Sequence, residues 1–313
     1  MPDIVDTEAY LARLLAASRP GTDAVLAFYD HRVGVIGTDP RLLLIPLDDH
    51  LVHRGDGVFE TLKFVDRKLY QVKPHFDRMA RSAGAIFLAP PCAWEEVVRL
   101  TMDVCRAAGT ADGLVKIIIG RGPGGFTVDP AECPTPSLHI VAFKLHTRPP
   151  EAFARGVTAF HTSIPAKQSY LARVKSLDYL PNALMKREAT ARGEDYPVCF
   201  DEEGFMAEGA TENICLVDAA GRLVIPELSH ILSGTTMLRA VELLRGEIET
   251  VFTKVRETDI TAAREMLILG TTNDCLSIVR YNGAPVGDGT PGPVSKRIKA
   301  LLTADIAATG VPL

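Results

Sequence analysis

The sequence predicts a mixed α/β protein, of the α+β kind, in two domains, and three observations carry that reading. A chain of 313 residues, 47% hydrophobic and 23% charged, is long enough for two cores and ordinary for a globular protein. Strand-like alternation and helix-like periodicity are interspersed through both halves. The stretch "HTRPPEAFARG" breaks both patterns, so residues 146–150 are the expected linker between a small domain, 26–145, and a larger one, 151–313. Residues 1–25 read as an extension.

Within the extension, Thr7 to about Ala17 has the pattern of a short amphipathic helix, stopped by Pro20 and Gly21. "VLAFYDHRVGVI" and "RLLLIPL" then read as strands, and "VFETLKFVDRKLYQV" as two strands around a turn at Asp66–Arg67. A helix is expected from about Pro74 to Ala85, before the break at Pro90 and Pro91. "WEEVVRLTMDVCRAAG" is an amphipathic helix closed by Gly109. "GLVKIIIG" is a strand feeding the glycine-rich "RGPGGF", which reads as a loop over a cleft, and "SLHIVAFKL" is a further strand.

The second half opens with a strand at 156–164 and a helix at 178–191 that Gly193 stops. "PVCFDEEGFMAEGATENICLVDAAGRLVIP" gives short strands with turns at Glu203–Gly204 and Ala220–Gly221. "LSGTTMLRAVELLRG" is a loop entering a helix. A short helix around Ile260–Arg264, a buried strand and the helix "GPVSKRIKALLTADIA" complete the chain.

Several functional classes are disfavoured. A net charge of −5 argues against nucleic acid or an anionic membrane as partner. No apolar run approaches the ~20 residues that span a bilayer, and the acidic N-terminus lacks a secretory signal pattern. Six scattered cysteines without CxxC spacing, and histidines without ligand spacing, make a disulfide framework or a metal site unexpected and a reducing cytoplasm the default. There is no GxSxG elbow and no P-loop.

Four places could carry chemistry. Lys175 stands at a junction between a strand and a helix, where it is either a solvated loop lysine or points its amine into a cleft. Gly234, Thr235 and Thr236 precede an amphipathic helix, so they form either a plain cap or a phosphate seat on its free N–H groups. Gly270–Thr271–Thr272 ends an apolar strand with small residues. Glu208 sits beside Gly209, where its carboxylate either faces solvent or turns inward.

Taken in order, "VKSLDYLPNAL", "AEGATENICLV", "LSGTTMLRA" and "LGTTNDC", with "HRGDGVFETLKF" and "HFDRMARSA" before them, resemble the signatures of the class IV (fold type IV) pyridoxal-phosphate aminotransferases over roughly residues 30–300. The resemblance implies a small N-terminal α/β domain, a larger barrel-like C-terminal one, and pyridoxal 5′-phosphate as cofactor. It makes Lys175 the covalent anchor of the cofactor aldehyde and the proton carrier. Glu208 becomes the partner of the pyridine nitrogen, and Arg78 a bidentate clamp on the phosphate. Gly234, Thr235, Thr236 and Thr271 would complete the phosphate cup. It further implies a homodimer with the active site at the domain and subunit interface, acting on amino acids and 2-oxo acids.

Within that family the motifs look most like the D-amino-acid transaminases of the plant and bacterial type, acting on donors such as D-alanine or D-glutamate. The loop "GRGPGGFTVDP" lacks the Arg-x-His carboxylate trap of the bacillary enzymes, so Arg54, delivered by a partner subunit, and Arg121 are the candidates for the substrate carboxylate, a structural salt bridge being the alternative for each. Branched-chain L-amino-acid transaminases carry a tyrosine five residues after the lysine, where Leu180 stands here. Aminodeoxychorismate lyases often have threonine in place of Glu60. Those two activities, and an (R)-amine transaminase, are the alternatives.

Overall fold

The computed structural model describes residues 2–313, which build two mixed α/β units around two sheets. The strands of the first half are β1 (Val25–Asp30), β2 (Val35–Gly37), β3 (Gly57–Val65), β4 (Lys68–Leu69), β5 (Gly113–Gly120) and β6 (Ser137–Phe143). Helix α1 (Thr7–Ala16) buries no residue, α2 (His50–Arg54) precedes β3, and α3 (Val72–Ala85) and α4 (Trp94–Ala107) cover the sheet. Alternation decides which face is covered: Val58, Leu62, Phe64, Val115, Ile117 and Ile119 point into one core with Met79, Val97 and Val104 of the helices. Their neighbours Phe59, Thr61, Leu114 and Lys116 point the other way, toward the second unit. Truncating a fully buried side chain here, such as Leu62 or Met79, costs about 2–5 kcal/mol.

The second half contains α5 (Pro150–Arg155), β7 (Val157–His161), α6 (Ser169–Ala172), α7 (Leu180–Arg192), β8 (Tyr196–Val198), β9 (Asn213–Val217), β10 (Leu223–Pro226), α8 (Thr235–Leu243) and β11 (Thr250–Thr253). These are followed by α9 (Glu257–Ala262), β12 (Glu265–Gly270), β13 (Asp274–Tyr281), β14 (Ala284–Pro285), α10 (Pro293–Thr309) and β15 (Val311–Pro312). The sheet runs β11-β10-β9-β12-β13-β7-β8. A hairpin from Cys199 to Glu208 carries the β8 edge back toward the chain after β11, where the Met206 N–H donates to the Val255 carbonyl at 2.7 Å. The sheet therefore curls like a barrel. Alternate residues again serve two cores: Met266 and Ile268 pack with α9, while Leu267 and Leu269 pack with α8 and α10.

Three expectations change. "RLLLIPL" is a 3-10 turn (Pro40–Leu42) and irregular chain rather than a strand, because Pro40 and Pro46 lack the N–H groups a ladder needs and Asp39 caps the Arg41 N–H at 3.0 Å. Strand β11, unmarked by alternation long enough to notice, lies parallel to β10. The segment 151–313 does not keep to the second unit, since β15 pairs with β4 at the edge of the first sheet.

The units are joined by buried polar contacts. Lys63 on β3 is ion-paired with Asp274 at 2.5 Å, and Lys299 of α10 reaches the same carboxylate at 2.8 Å. Asp305 of α10 accepts from the Tyr70 hydroxyl at 2.6 Å.

Candidate active site

Lys175 is positioned by backbone from the other unit. Residues 174–177 run beside the start of β3, with the Phe59 N–H donating to the Lys175 carbonyl at 3.0 Å and the Leu177 N–H to the Gly57 carbonyl at 2.9 Å. The Lys175 N–H donates to Ser82 Oγ of α3 at 3.1 Å. Gly57 is required for this approach, because a Cβ there would lie 2.6 Å from the Ile119 carbonyl oxygen and 2.8 Å from Leu177 Cδ1. So anchored, the half-buried side chain places its amine 4.6 Å from the centre of the Phe59 ring. It lines a cavity of about 390 Å³, shared with Lys116, Tyr179, Glu212, Thr271 and Asn273. Burial, helped by the Arg78 charge, brings the Lys175 amine down to about 8, so a neutral nucleophile is accessible near neutral pH.

Glu208 ends the hairpin after β8 and turns inward rather than to solvent, accepting from the Leu232 N–H at 3.1 Å. Burial raises its carboxyl to about 7, against the pull of that N–H and of the Lys175 charge. A cation brought to this carboxylate would draw it back to the ionised form.

Beside the Ser233–Thr236 loop lies a chain of charge-assisted bonds. β3 sends Glu60 to the α3 side, where it is fully buried between Arg78 and His75. Arg78 Nε and Nη2 each donate to the Glu60 carboxylate at 2.7 Å, and Arg78 Nη1 donates to the Ser233 carbonyl at 3.2 Å. His75 Nδ1 lies 2.7 Å from Glu60, and its Nε2 lies 3.0 Å from Thr235 Oγ1. Burial lowers the His75 pKa, so the ring is neutral, donating from Nδ1 and accepting the Thr235 hydroxyl proton at Nε2. The Arg78 charge, with hydrogen bonds from Arg78 and His75, holds the Glu60 carboxyl down to about 2 despite its burial.

Beside this network, Gly234 caps α8 with no side-chain capping bond, leaving the N–H groups of Thr235 and Thr236 at the open end of a nine-residue helix. Gly234 must lack a side chain here, since a Cβ would fall 1.8 Å from Asn213 Oδ1.

Lys175 and Thr271 line one cavity. Arg78 acts on the Lys175 amine through its charge and holds the Ser233 carbonyl just before Gly234. Thr235 lines a separate cavity with Ser233 and Arg81, and Glu208 lies within the field of Lys175. Two details differ from the sequence reading. The bidentate face of Arg78 belongs to Glu60, so only Nη1 is directed at the Ser233–Thr236 loop. The Thr235 hydroxyl is committed to His75, leaving its backbone N–H for an anion.

Neither arginine expected to bind a carboxylate lines the cavity. Arg121 Nε and Nη2 are paired with Asp56 at 2.9 and 3.0 Å, and its remaining N–H groups reach the carbonyls of Phe87 at 2.9 Å and Ile86 at 2.8 Å. It is a structural ion pair, with four of its five N–H donors already used. Arg54 is exposed on α2, and its N–H groups hold the carbonyls of His53, Phe126 and Thr127. Sequence reasoning overlooked Lys116 and Tyr179. Leu180 is 67% exposed, whereas Tyr179, one residue earlier, is the aromatic that faces the cavity and packs edge-on at 5.1 Å from Phe59. Among the described residues no cluster of His, Cys, Asp and Glu could hold a metal ion.

The residues present fit a phosphorylated aldehyde cofactor. There is an amine that loses its proton easily, an open helix start beside a guanidinium for the phosphate, and an inward acid for a ring nitrogen.

Comparison with known proteins agrees with this chemistry. The model of the family described as amino-transferase class IV matches residues 57–281. A chloroplastic D-amino-acid transaminase of Arabidopsis thaliana is 33% identical over 296 residues, covering 91% of this chain and 78% of that protein. A putative branched-chain-amino-acid aminotransferase of Methanocaldococcus jannaschii is 29% identical over 252 residues, 80% of this chain and 87% of that one. Among solved structures, a T.th. branched-chain amino acid aminotransferase with pyridoxamine 5′-phosphate superposes with a TM-score of 0.85 at 22% identity, covering 91% of this chain and 95% of that one.

Proposed function

The chain belongs to the class IV aminotransferases, and on that premise we propose that it moves an amino group from a D-amino acid, such as D-alanine or D-glutamate, to a 2-oxo acid. Class IV aminotransferases use pyridoxal phosphate. The observation that carries the reading is a buried lysine amine, brought down to about 8, in the field of the Arg78 guanidinium, which itself holds the Ser233 carbonyl beside the uncapped start of α8. The D-amino-acid donor is supported by the Arabidopsis relative.

When bound, pyridoxal phosphate supplies an aldehyde that captures amino groups and a ring that accepts the electron pair released at the substrate Cα. This chain's residues do the rest. The N–H groups of Thr235 and Thr236, with Arg78 Nη1 and Thr271, hold the phosphate. Glu208 keeps a proton on the ring nitrogen. Lys175 would hold the cofactor through its amine, and, when free, would be the base and acid that carries a proton between the substrate Cα and the carbon of the former aldehyde. The donor leaves as a 2-oxo acid before the acceptor enters, which gives ping-pong kinetics.

The active form is a homodimer with the site completed at the subunit interface. Exposed apolar side chains crowd Val33 to Val52 and recur at Phe126 and Val128, as an interface needs. The cytoplasm is the compartment that suits six unpaired cysteines. No helix among the described residues is long and apolar enough to cross a membrane.

The test is a half-reaction screen of the cofactor-loaded protein with D-alanine, D-glutamate, L-leucine, (R)-1-phenylethylamine and aminodeoxychorismate, following the cofactor's visible band. Conversion by the D-amino acids supports the proposal. Conversion by L-leucine alone would move the chain to the branched-chain reading, which the M. jannaschii relative favours. Pyruvate release from aminodeoxychorismate without conversion would make it a lyase.

A further inference from the structure

With Arg121 spent on Asp56 and Arg54 turned to loop carbonyls, a carboxylate substrate still needs a cation inside the cavity. Strand β5 provides one. Its alternation sends Val115 and Ile117 into the first core and Lys116 to the opposite face, cross-strand from Thr61. The Lys116 ammonium lies 5.2 Å from the centre of the same Phe59 ring that carries Lys175. It lines the same cavity, is half-buried, and makes no hydrogen bond or ion pair with any described residue.

The other charges nearby are occupied. Glu212, on the cavity wall, accepts from the N–H and hydroxyl of its neighbour Thr211. Lys167 donates to the Asp178 carbonyl at 2.9 Å, and Arg148 is paired with Asp195 at 3.0 Å. A half-buried ammonium without a partner is costly, and burial accordingly lowers the pKa of Lys116. An arriving carboxylate removes that penalty.

We propose that Lys116 receives the substrate's carboxylate, setting the chain's preference for amino and 2-oxo acids over plain amines. Its place beside Phe59 fixes the carboxylate on one side of Lys175 while the amino group meets the cofactor. The proposal deepens the transaminase reading and rests on it.

The experiment compares wild type, Lys116→Met, Lys116→Gln and Lys116→Arg, all loaded with cofactor. Two readouts are taken: KM and kcat for D-alanine with 2-oxoglutarate, and calorimetric binding of propionate, a carboxylate with neither amino nor oxo group. The Met and Gln variants should raise both KM values by about 10–100-fold and weaken propionate to the same degree, with kcat within about threefold. The Arg variant should stay within about threefold of wild type in every reading. Unchanged KM and propionate affinity in whichever neutral variant folds and keeps its cofactor overturns the proposal. Failure of wild type to transfer nitrogen from any amino acid overturns the transaminase reading instead, and the propionate measurement still decides the place of Lys116.

Discussion

On the Arg78 side of the site the guanidinium, the carboxylate and the imidazole each have a partner, whereas on the Lys116 side two ammonium groups flank one phenyl ring and neither has any. Glu60, Arg78, His75 and Thr235 form a closed relay whose geometry is settled before a ligand arrives. Such a network is stiff, and a partly satisfied one would be worse than none. Lys175 and Lys116 are kept unpaired, with amines made easier to deprotonate by burial. A holding surface is thus built from completed bonds and a reacting surface from incomplete ones.

The sharpest way to break this contrast is Lys175→Ala. Its fold should survive, because the residue's links to Phe59 and Ser82 are through the backbone. Turnover should fall by about 10⁴-fold or more, with the visible band of the loaded protein lost. Residual activity of several per cent would move the chemistry elsewhere.

On the paired side, Glu60→Ala leaves a buried guanidinium without its anion and should cost about 3–5 kcal/mol in chemical denaturation. It should also loosen the cofactor, since Arg78 loses its orientation. Because the Glu60 carboxyl sits near 2, below its unfolded value, wild type should hold this stability above the unfolded pKa and lose it as pH falls through about 2, a limb absent from the variant.

Gly234→Ala probes the open helix start. The new methyl meets Asn213 Oδ1, so the Asn213 amide or the Thr235 and Thr236 N–H groups must shift. Cofactor affinity should drop about 10–100-fold by equilibrium dialysis, while kcat at saturating cofactor changes less.

The mildest effect is that of pH on the unpaired side. Capture of pyridoxal phosphate by cofactor-free protein should speed up about tenfold per pH unit below about 8 and level off above it, as the Lys175 amine becomes neutral. A rate that keeps rising past pH ~9.5 would mean that burial does not lower this amine.

How much of this could be read from sequence divides by distance along the chain. The αL glycine that stops α7, Gly193 at φ 67°, and the Asp66–Arg67 turn, at φ 50° and 57°, are local events written in adjacent residues. Lys175, Glu208 and the Gly234–Thr236 helix start were also recognisable, since each sits in a short motif. The relay was not, because His75 meets Thr235 across 160 residues and Arg78 meets Glu60 across 18. Arg121 looked available only because its partner Asp56 stands 65 residues away. Lys116 did leave a trace: a lysine in the middle of "LVKIII" cannot face a core and is too enclosed by apolar neighbours for an ordinary surface strand. Tyr179 was hidden by a one-residue offset that only the turn before α7 reveals.

Backbone from β3 moors Lys175, while Glu208 and the α8 start belong to the other unit. Heat that parts the two halves must therefore drag the amine off its ligand before either core melts. A heated sample should bleach while its circular dichroism is still native. Fading colour in this enzyme is a gauge of how tightly its halves are docked, and thermal inactivation curves will report the seam rather than the cores.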